Sequence, residues 1–322
     1  MTGPRVLTIV LNWRTPEMTL KAARAAQRAM VDIAGEIVII DNDSGDGSFE
    51  KMQSETRDWN RVRVIQSGHN GGFGAGNNAG IRAGFSDGTR PDYTYILNSD
   101  AFPAEDAIAK LLAHLEATPS AGLAGSHIHG PEGKSHVTCF RFPSILGEFE
   151  GAARIGTFSH LLRRHIVPLP VPETTQPVDW LAGASLMIRQ DALDEIGGFD
   201  ETFFLYFEET DLCLRAARAG WQTHYVAGSH VEHIGSVSTG MKSWGRVPDY
   251  WFASRRYYFI KNHGRGYLAL VTLAHLTGAG LGSLWRLIRR KGAPRPPHFL
   301  RDLVLGDLGL TLRGTNERKA DA

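Results

Sequence analysis

Four short, largely apolar runs, each closed by a cluster of small polar residues, constrain this chain more than any other feature. The runs lie at residues 6–11, 36–40, 62–65 and 93–97. The first of these runs, rich in β-branched residues, suits a strand buried on both faces, and the other three read as strands as well. Helical signals lie between them. Thr15-Pro16-Glu17 opens one helix, with Thr15 as the expected cap and Pro16 at the first helical position, and alanines carry it to about Met30. A glycine-rich loop over 68–80 is expected to lead into another, shorter helix. Strands alternating with helices at this interval imply right-handed βαβ units and a mostly parallel central sheet flanked by helices. Open α/β sheets bind ligands beyond the carboxyl ends of their strands. The polar clusters fall at those ends: Asn12, residues 41–46, 70–78 and 98–100.

With 322 residues the chain can hold one large domain or two smaller ones. Thirty-five Lys+Arg against 34 Asp+Glu leave a formal charge of +1, which removes any bulk electrostatic case for a nucleic-acid partner. Cys139 and Cys213 match no metal or redox spacing, exclude a disulfide framework and point to a reducing compartment. The first residues, MTGPRVLTIV, run straight into a strand pattern without separate basic and apolar signal regions. A cytoplasmic chain is expected.

Beyond residue 140 the rhythm lapses. Prolines at 143, 168, 170, 172 and 177 read as an irregular excursion over the sheet. An apolar strand is expected over 180–189, a helix over 190–196, a second helix through EETDLCLRAARAGW, and a last strand ending near His233. The tail differs in kind: 20 residues without formal charge separate Arg265 from Arg286. Arg255, Arg256 and Lys261 precede this stretch, and Arg289, Arg290 and Lys291 follow it. Its length suits a membrane span, but His275, two threonines and several glycines dilute it, which favours a helix that lies in a membrane interface or packs within the protein. The alternative is that the stretch packs on the main domain, or on a second subunit in a homodimer.

Several motifs carry chemistry, each beside a plainer reading. Gly74-Ala75-Gly76-Asn77-Asn78-Ala79 matches a dinucleotide pattern, yet it follows the third strand, not the first. Asp100, behind Asn98-Ser99, can ligate a hard divalent ion or cap the helix that follows Pro103. Glu208, Glu209 and Asp211 can supply a general base beside an aromatic wall, or simply favour the amino end of a helix. His233 can be a neutral imidazole ligand or a structural histidine.

Taken together, VLTIVLNWRT, IVIIDNDSGDGS, NGGFGAGNNAGIRAG, YILNSDA, WLAGASLMIR, GGFDETFFLYFEETDLCLRAARAGW and HVEHIGSVS resemble family 2 glycosyltransferases. Those are inverting enzymes of the GT-A nucleotide-diphosphosugar fold, and the segments look most like the rhamnosyltransferase-type members of bacterial cell-surface polysaccharide assembly. The resemblance implies a GT-A domain over 1–240 and a helical extension over 241–322. It implies that Asn12, Asp41, Asn70, Gly72, Phe73, Asn77, Asn78, Ser99 and Asp100 bind a nucleotide-diphosphosugar donor. Asp100 takes the place of the metal-binding Asp of the family's DxD motif, with Asn98 where the first Asp stands, and His233 matches a second metal ligand. The ion would be Mg²⁺ or Mn²⁺. Glu209 stands where the family has its base, with Glu208 and Asp211 as further candidates. Trp180, Gly183 and Ala184 would shape the sugar and acceptor pocket. The expected reaction moves a sugar, with rhamnose from dTDP-rhamnose favoured, to a glycan or polyprenol-linked acceptor on the inner face of the membrane. The alternative is a catalytically silent nucleotide-sugar-binding or scaffold domain, which the Asn98 and Glu209 departures would suit.

Overall fold

The computed structural model describes residues 3–235, 245–290 and 296–310. The end of the HVEHIGSVS motif, the expected boundary at 240 and Lys291 lie outside the described residues. The elements begin β1 (Arg5–Asn12), α1 (Pro16–Ala29), β2 (Ala34–Asp41), α2 (Ser48–Glu55), β3 (Val62–Gln66), α3 (Gly72–Ala83), β4 (Tyr93–Asn98) and β5 (Ala101–Pro103). They continue with α4 (Ala107–Ala117), β6 (Ala121–His129), β7 (Cys139–Phe140), α5 (Ile145–Ala153), α6 (Gly156–Leu161), β8 (Gln176–Val178), β9 (Trp180–Leu181) and β10 (Ser185–Arg189). Last come α7 (Gln190–Ile196), α8 (Glu208–Arg218), β11 (Gln222–His233), α9 (Asp249–His263), α10 (Arg265–Ile288) and α11 (Phe299–Asp307).

The chain divides into two units. The first comprises Met1–Phe140, Pro170–Phe204 and Glu208–Ser238, and the second Arg141–Leu169, Leu205–Phe207 and Thr239–Ala322. The stretch after residue 140 is irregular only in part: residues 162–175, with three of the expected prolines, belong to no helix or strand. The same stretch contains α5 and α6, and Ser144 caps α5 by accepting the Gly147 amide at 3.1 Å.

The first unit is built on a sheet with the order β3-β2-β1-β4-β10-β6-β11-β5, and β8 pairs with β11. β1, β2, β3 and β4 run parallel, whereas β10 is antiparallel to both β4 and β6, so the sheet is mixed. The two faces of β1 explain why its run is apolar on both sides of the strand. Val6 and Val10 join Ala22, Ala23 and Ala26 of α1 in one core, and the small alanines let that helix approach the sheet closely. Ile9 and Leu11 face the other way, toward α3. A Cβ at Gly80 would lie 2.7 Å from Ile9, and one at Gly76 would collide with Leu11.

The glycine-rich segment thus forms a helix where a loop was expected. Glycine costs a helix about 1 kcal/mol per residue relative to alanine. Here the four-residue spacing of Gly76 and Gly80 offsets that cost by laying bare backbone against β1. Thr15 also departs from expectation. It precedes α1 but makes no side-chain capping bond, because its hydroxyl turns toward Asn12 Oδ1 and Ser99 Oγ. The expected strand over 180–189 is broken between β9 and β10.

The second unit is helical. α10 rests on α5 through small residues: a Cβ at Gly282 would lie 2.5 Å from the Ala153 carbonyl, and one at Gly278 would meet that of Phe149. Beside this contact Arg255, itself 1 % exposed, pairs with Asp307 at 2.7 Å and Glu148 at 3.1 Å. His275 Nδ1 lies 2.8 Å from the same Glu148 oxygen, and the Thr272 hydroxyl donates to Asp307 at 2.6 Å. Tyr206 and Phe207 both hold a left-handed backbone at φ 69° and pack on Tyr250 and Tyr258. Two bulky residues in succession there are strained, and packing must hold them.

Candidate active site

The strand order places a ligand crevice. From β1 the chain moves outward to β2 and β3, then returns to β4 on the other side of β1. This is a topological switch point, and its crevice opens beyond the carboxyl ends of β1 and β4. Register aligns those ends: Asn12 pairs with Asp41, and Leu11 with Asn98.

Asn12 and Asp41 form one buried cluster. The Asn12 amide donates to Asp41 Oδ1 at 2.7 Å, and the Ser44 hydroxyl donates to the same oxygen at 2.6 Å. The Ser44 amide donates to Asp41 Oδ2 at 3.1 Å, and Thr19 donates to Asn12 Oδ1 at 2.7 Å. Every partner in this cluster is fixed by another, as buried polar groups require. Ser44 was not singled out from sequence, since a serine in a polar turn carries no distinguishing signal.

Asn70 supports the next loop. Its Oδ1 accepts from the Asn42 amide and the Gly72 amide, each at 3.0 Å. Gly72 has φ 88°, and a Cβ there would strike the Phe204 carbonyl, so only glycine serves. Phe73 follows, its amide donating to that carbonyl at 3.1 Å. Asn77 and Asn78 lie on α3, both buried. Asn78 is engaged with the 199–201 segment, donating to Phe199 O and Glu201 and accepting the Phe199 amide. Asn77 donates to Phe73 O at 2.9 Å, and its Oδ1 finds no hydrogen-bond partner among the described residues.

Beyond β4 the chain presents Ser99 and Asp100, both 5 % exposed. Asp100 does not cap a helix, since α4 begins only at Ala107. Instead its Oδ1 lies 3.0 Å from His233 Nε2 at the end of β11, and its Oδ2 accepts the Gly235 amide at 3.0 Å. Burial alone would raise this carboxyl, but the hydrogen bond and charge of His233, with backbone donors, outweigh it and hold the group below its ordinary value. Asn98 Oδ1 is buried and finds no hydrogen-bond partner among the described residues. A carboxylate facing an imidazole, two residues along the chain from an orphaned amide oxygen, suits a divalent ion that would complete its shell with diphosphate and water oxygens. Among the described residues no group of three or more His, Cys, Asp or Glu side chains is placed to hold a metal; Asp100 and His233, in contact with each other, are the two side chains here that could contribute to one.

The carboxylates of α8 separate into different environments. Asp211, fully buried, pairs with Arg215 at 2.9 Å, and that guanidinium holds the carbonyls of residues 196–198. Glu208 is buried at 1 % exposure. Glu209 turns toward the break between β9 and β10, where the Gly183 amide donates to its Oε1 at 3.0 Å. Burial pushes the Glu209 carboxyl above its ordinary value, against the lowering effect of backbone hydrogen bonds that include Gly183. Ala184 links this group to the loop bearing Asp100, its carbonyl accepting the Asn98 backbone N–H at 3.1 Å. Trp180 stacks on Phe140 with centroids 4.1 Å apart and planes 15° from parallel, a flat aromatic platform on the same unit.

The chain is similar to known proteins in sequence and in fold. It matches the family model "Glycosyltransferase like family 2" over residues 4–256. It is 29 % identical over 248 residues to an N-acetylglucosaminyl-diphospho-decaprenol L-rhamnosyltransferase of Mycobacterium tuberculosis, covering 73 % of this chain and 78 % of that one. To the rhamnosyltransferase WbbL of Escherichia coli it is 30 % identical over 143 residues, 44 % of this chain and 52 % of the other. The mannosyltransferase PcManGT of Pyrobaculum calidifontis, solved with GDP-Man and Mn²⁺, superposes with a TM-score of 0.56 at 16 % identity, over 95 % of this chain and 79 % of that one. GalNAc-T7, solved with UDP, GalNAc and Mn²⁺, gives 0.53 at 14 % identity over 80 % of this chain, which spans half of that protein. Such low identities establish the shared GT-A fold. The family match reaches from β1 into α9, across every strand that contributes to the crevice. The chain belongs to glycosyltransferase family 2 and is a glycosyltransferase.

Proposed function

We propose that the enzyme transfers a rhamnosyl group from dTDP-rhamnose, with inversion, to a sugar carried on a polyprenyl diphosphate. The observation that carries the chemistry is Glu209: a carboxyl raised by burial, fixed by the Gly183 amide, and joined through Ala184 to the loop bearing Asp100. The names of the two rhamnosyltransferase relatives support a rhamnosyl group as the one transferred, and the mycobacterial relative's name supports a lipid-linked acceptor.

In the proposed reaction an acceptor hydroxyl attacks the anomeric carbon from the face opposite the nucleotide diphosphate. Glu209 accepts the hydroxyl proton as the new C–O bond forms and the bond to the diphosphate breaks. Its raised pKa brings its basicity nearer to neutral pH. Asn12 and Asp41 order the nucleotide end of the crevice, and Trp180 offers an aromatic face to a sugar ring. A divalent ion, when held by Asp100 and His233, supplies neutralisation of the charge left on the diphosphate. A single displacement requires no covalent intermediate and no nucleophilic Ser or Cys.

The test is transfer from dTDP-rhamnose to a polyprenyl-diphosphate-linked N-acetylglucosamine, beside UDP-hexose donors and with Mg²⁺ or Mn²⁺ present or chelated. Transfer from a UDP-sugar alone would replace the donor assignment. An unchanged rate under chelation would remove the metal role of Asp100 and His233.

A further inference from the structure

We propose that the exposed face of α10 docks the second unit onto an anionic lipid surface, with the helix lying along the surface and not crossing it. α10 is charge-free between Arg265 and Arg286, and it is long and apolar enough to span a bilayer by length and composition. Its two faces decide against spanning. At 100° per residue, Leu270, Leu273, Thr277, Leu281, Leu284 and Ile288 fall in one stripe. Leu273 is 61 % exposed and Ile288 68 %, and the other leucines of the stripe are exposed as well. The opposite face is already engaged within the unit: Val271, Gly278, Ala279 and Gly282 are buried, Thr272 bonds Asp307 and His275 bonds Glu148. One apolar stripe backed by a packed, hydrogen-bonded face is the geometry of an interfacial helix.

Charge identifies the occupant. α10 carries no carboxylate, Arg265 stands at its start, and Arg286, Arg289 and Arg290 gather at its end. Exposed Trp285 lies beside them, with the Arg289 guanidinium 4.5 Å from its ring centroid. A tryptophan covered by an arginine suits the headgroup level of a membrane. Each cation near an anionic leaflet contributes about 1 kcal/mol. Those same cations disfavour a second copy as the occupant, because a symmetric contact would bring like charges together. The proposal is independent of the transfer reaction, since docking is read without substrate.

The test is flotation of the full-length chain with phosphatidylcholine vesicles, with and without phosphatidylglycerol. Binding is expected to require the anionic lipid, to weaken at high salt, and to be released by alkaline carbonate. Leu273→Glu with Leu281→Glu, both at exposed positions, should lower binding at least about tenfold, with helicity and melting temperature unchanged. Arg289→Glu with Arg290→Glu should do the same without touching the stripe. As a depth readout, Leu284→Cys with an environment-sensitive dye should brighten on anionic vesicles, because both native cysteines are buried. Retention in carbonate would overturn the lying orientation. Wild-type binding by both double variants, or a dimer that the leucine variant dissolves in the absence of lipid binding, would overturn the proposal.

Discussion

The Gly183 amide and the Glu209 carboxylate are fitted to each other: the amide donates to Oε1 at 3.0 Å, and a Cβ on residue 183 would lie 2.8 Å from that same oxygen. The glycine fixes the carboxylate and leaves room for it. Gly183→Ala is therefore expected to lower kcat while leaving donor affinity near the wild-type value. Steady-state kinetics with separate donor-binding measurements check this.

Glu209→Gln keeps the shape and removes the basicity. Turnover is expected to fall by about 10²–10⁴, the scale of a general base, with donor binding retained. The base must be ionised to act, so the rate falls as pH drops through its pKa. Burial raises that pKa, so the acidic limb of the wild-type profile should lie above the ordinary glutamate range. Glu209→Gln should lose that limb. Near-normal turnover in this variant would pass the role to Glu208.

Asp100 and His233 are expected to act as a pair. His233→Ala should raise the Mn²⁺ concentration needed for half-maximal rate by at least about tenfold, the scale on which losing a supporting group weakens a metal site. Titration of rate against Mn²⁺ reads this directly, and a curve that overlays the wild type would remove His233 from the site.

Gly80→Ala opposes two effects of known size. Helix propensity favours alanine by about 1 kcal/mol, whereas forcing a methyl group into a packed contact costs about 1–3 kcal/mol. Ile9 is fully buried and 2.7 Å from the added carbon, so packing should win. Denaturant unfolding is expected to show a net loss of stability. A gain would mean that β1 and α3 can separate without penalty.

The buried charges of the second unit make its stability depend on acid. Burial alone would raise Glu148, but Arg255 and His275 overcome it and hold the carboxyl at about 2, below the ordinary 4.5. A depressed carboxyl stabilises above its unfolded pKa, and the effect is lost as pH falls from about 4.5 toward 2. That loss is on the order of 3 kcal/mol. Arg255→Met should cost about 3–5 kcal/mol at neutral pH by removing the guanidinium that two largely buried carboxylates share. The acid dependence in that window should shrink with it. Melting temperature against pH checks both.

Much of this was legible in the sequence because strands buried on both faces announce themselves as aliphatic runs, and the polar residues that end them mark the crevice. Asn12, Asp41 and Asp100 were read in this way. The glycine-rich segment misled because glycine serves equally in a loop and in a helix pressed on a strand, and only the neighbours Ile9 and Leu11 distinguish the two. Asn78 carries no sign that its partner will be the backbone at Phe199, 121 positions away. Nor do Tyr206 and Phe207 advertise a left-handed backbone, since aromatic residues rarely adopt one. Assignment of residues 141–169 to the helical unit depends on long-range packing that no local pattern records.

That assignment bears on how the protein can be dissected. The second unit takes three separate lengths of chain, at 141–169, 205–207 and from 239 onward. A truncation at residue 240 would leave α5 behind while removing α10, whose glycines lie against its backbone. The remnant would show bare helix surface and the unmatched Glu148 carboxylate to solvent. The two units are interleaved in the gene, so neither can be inherited, expressed or exchanged as a simple cassette.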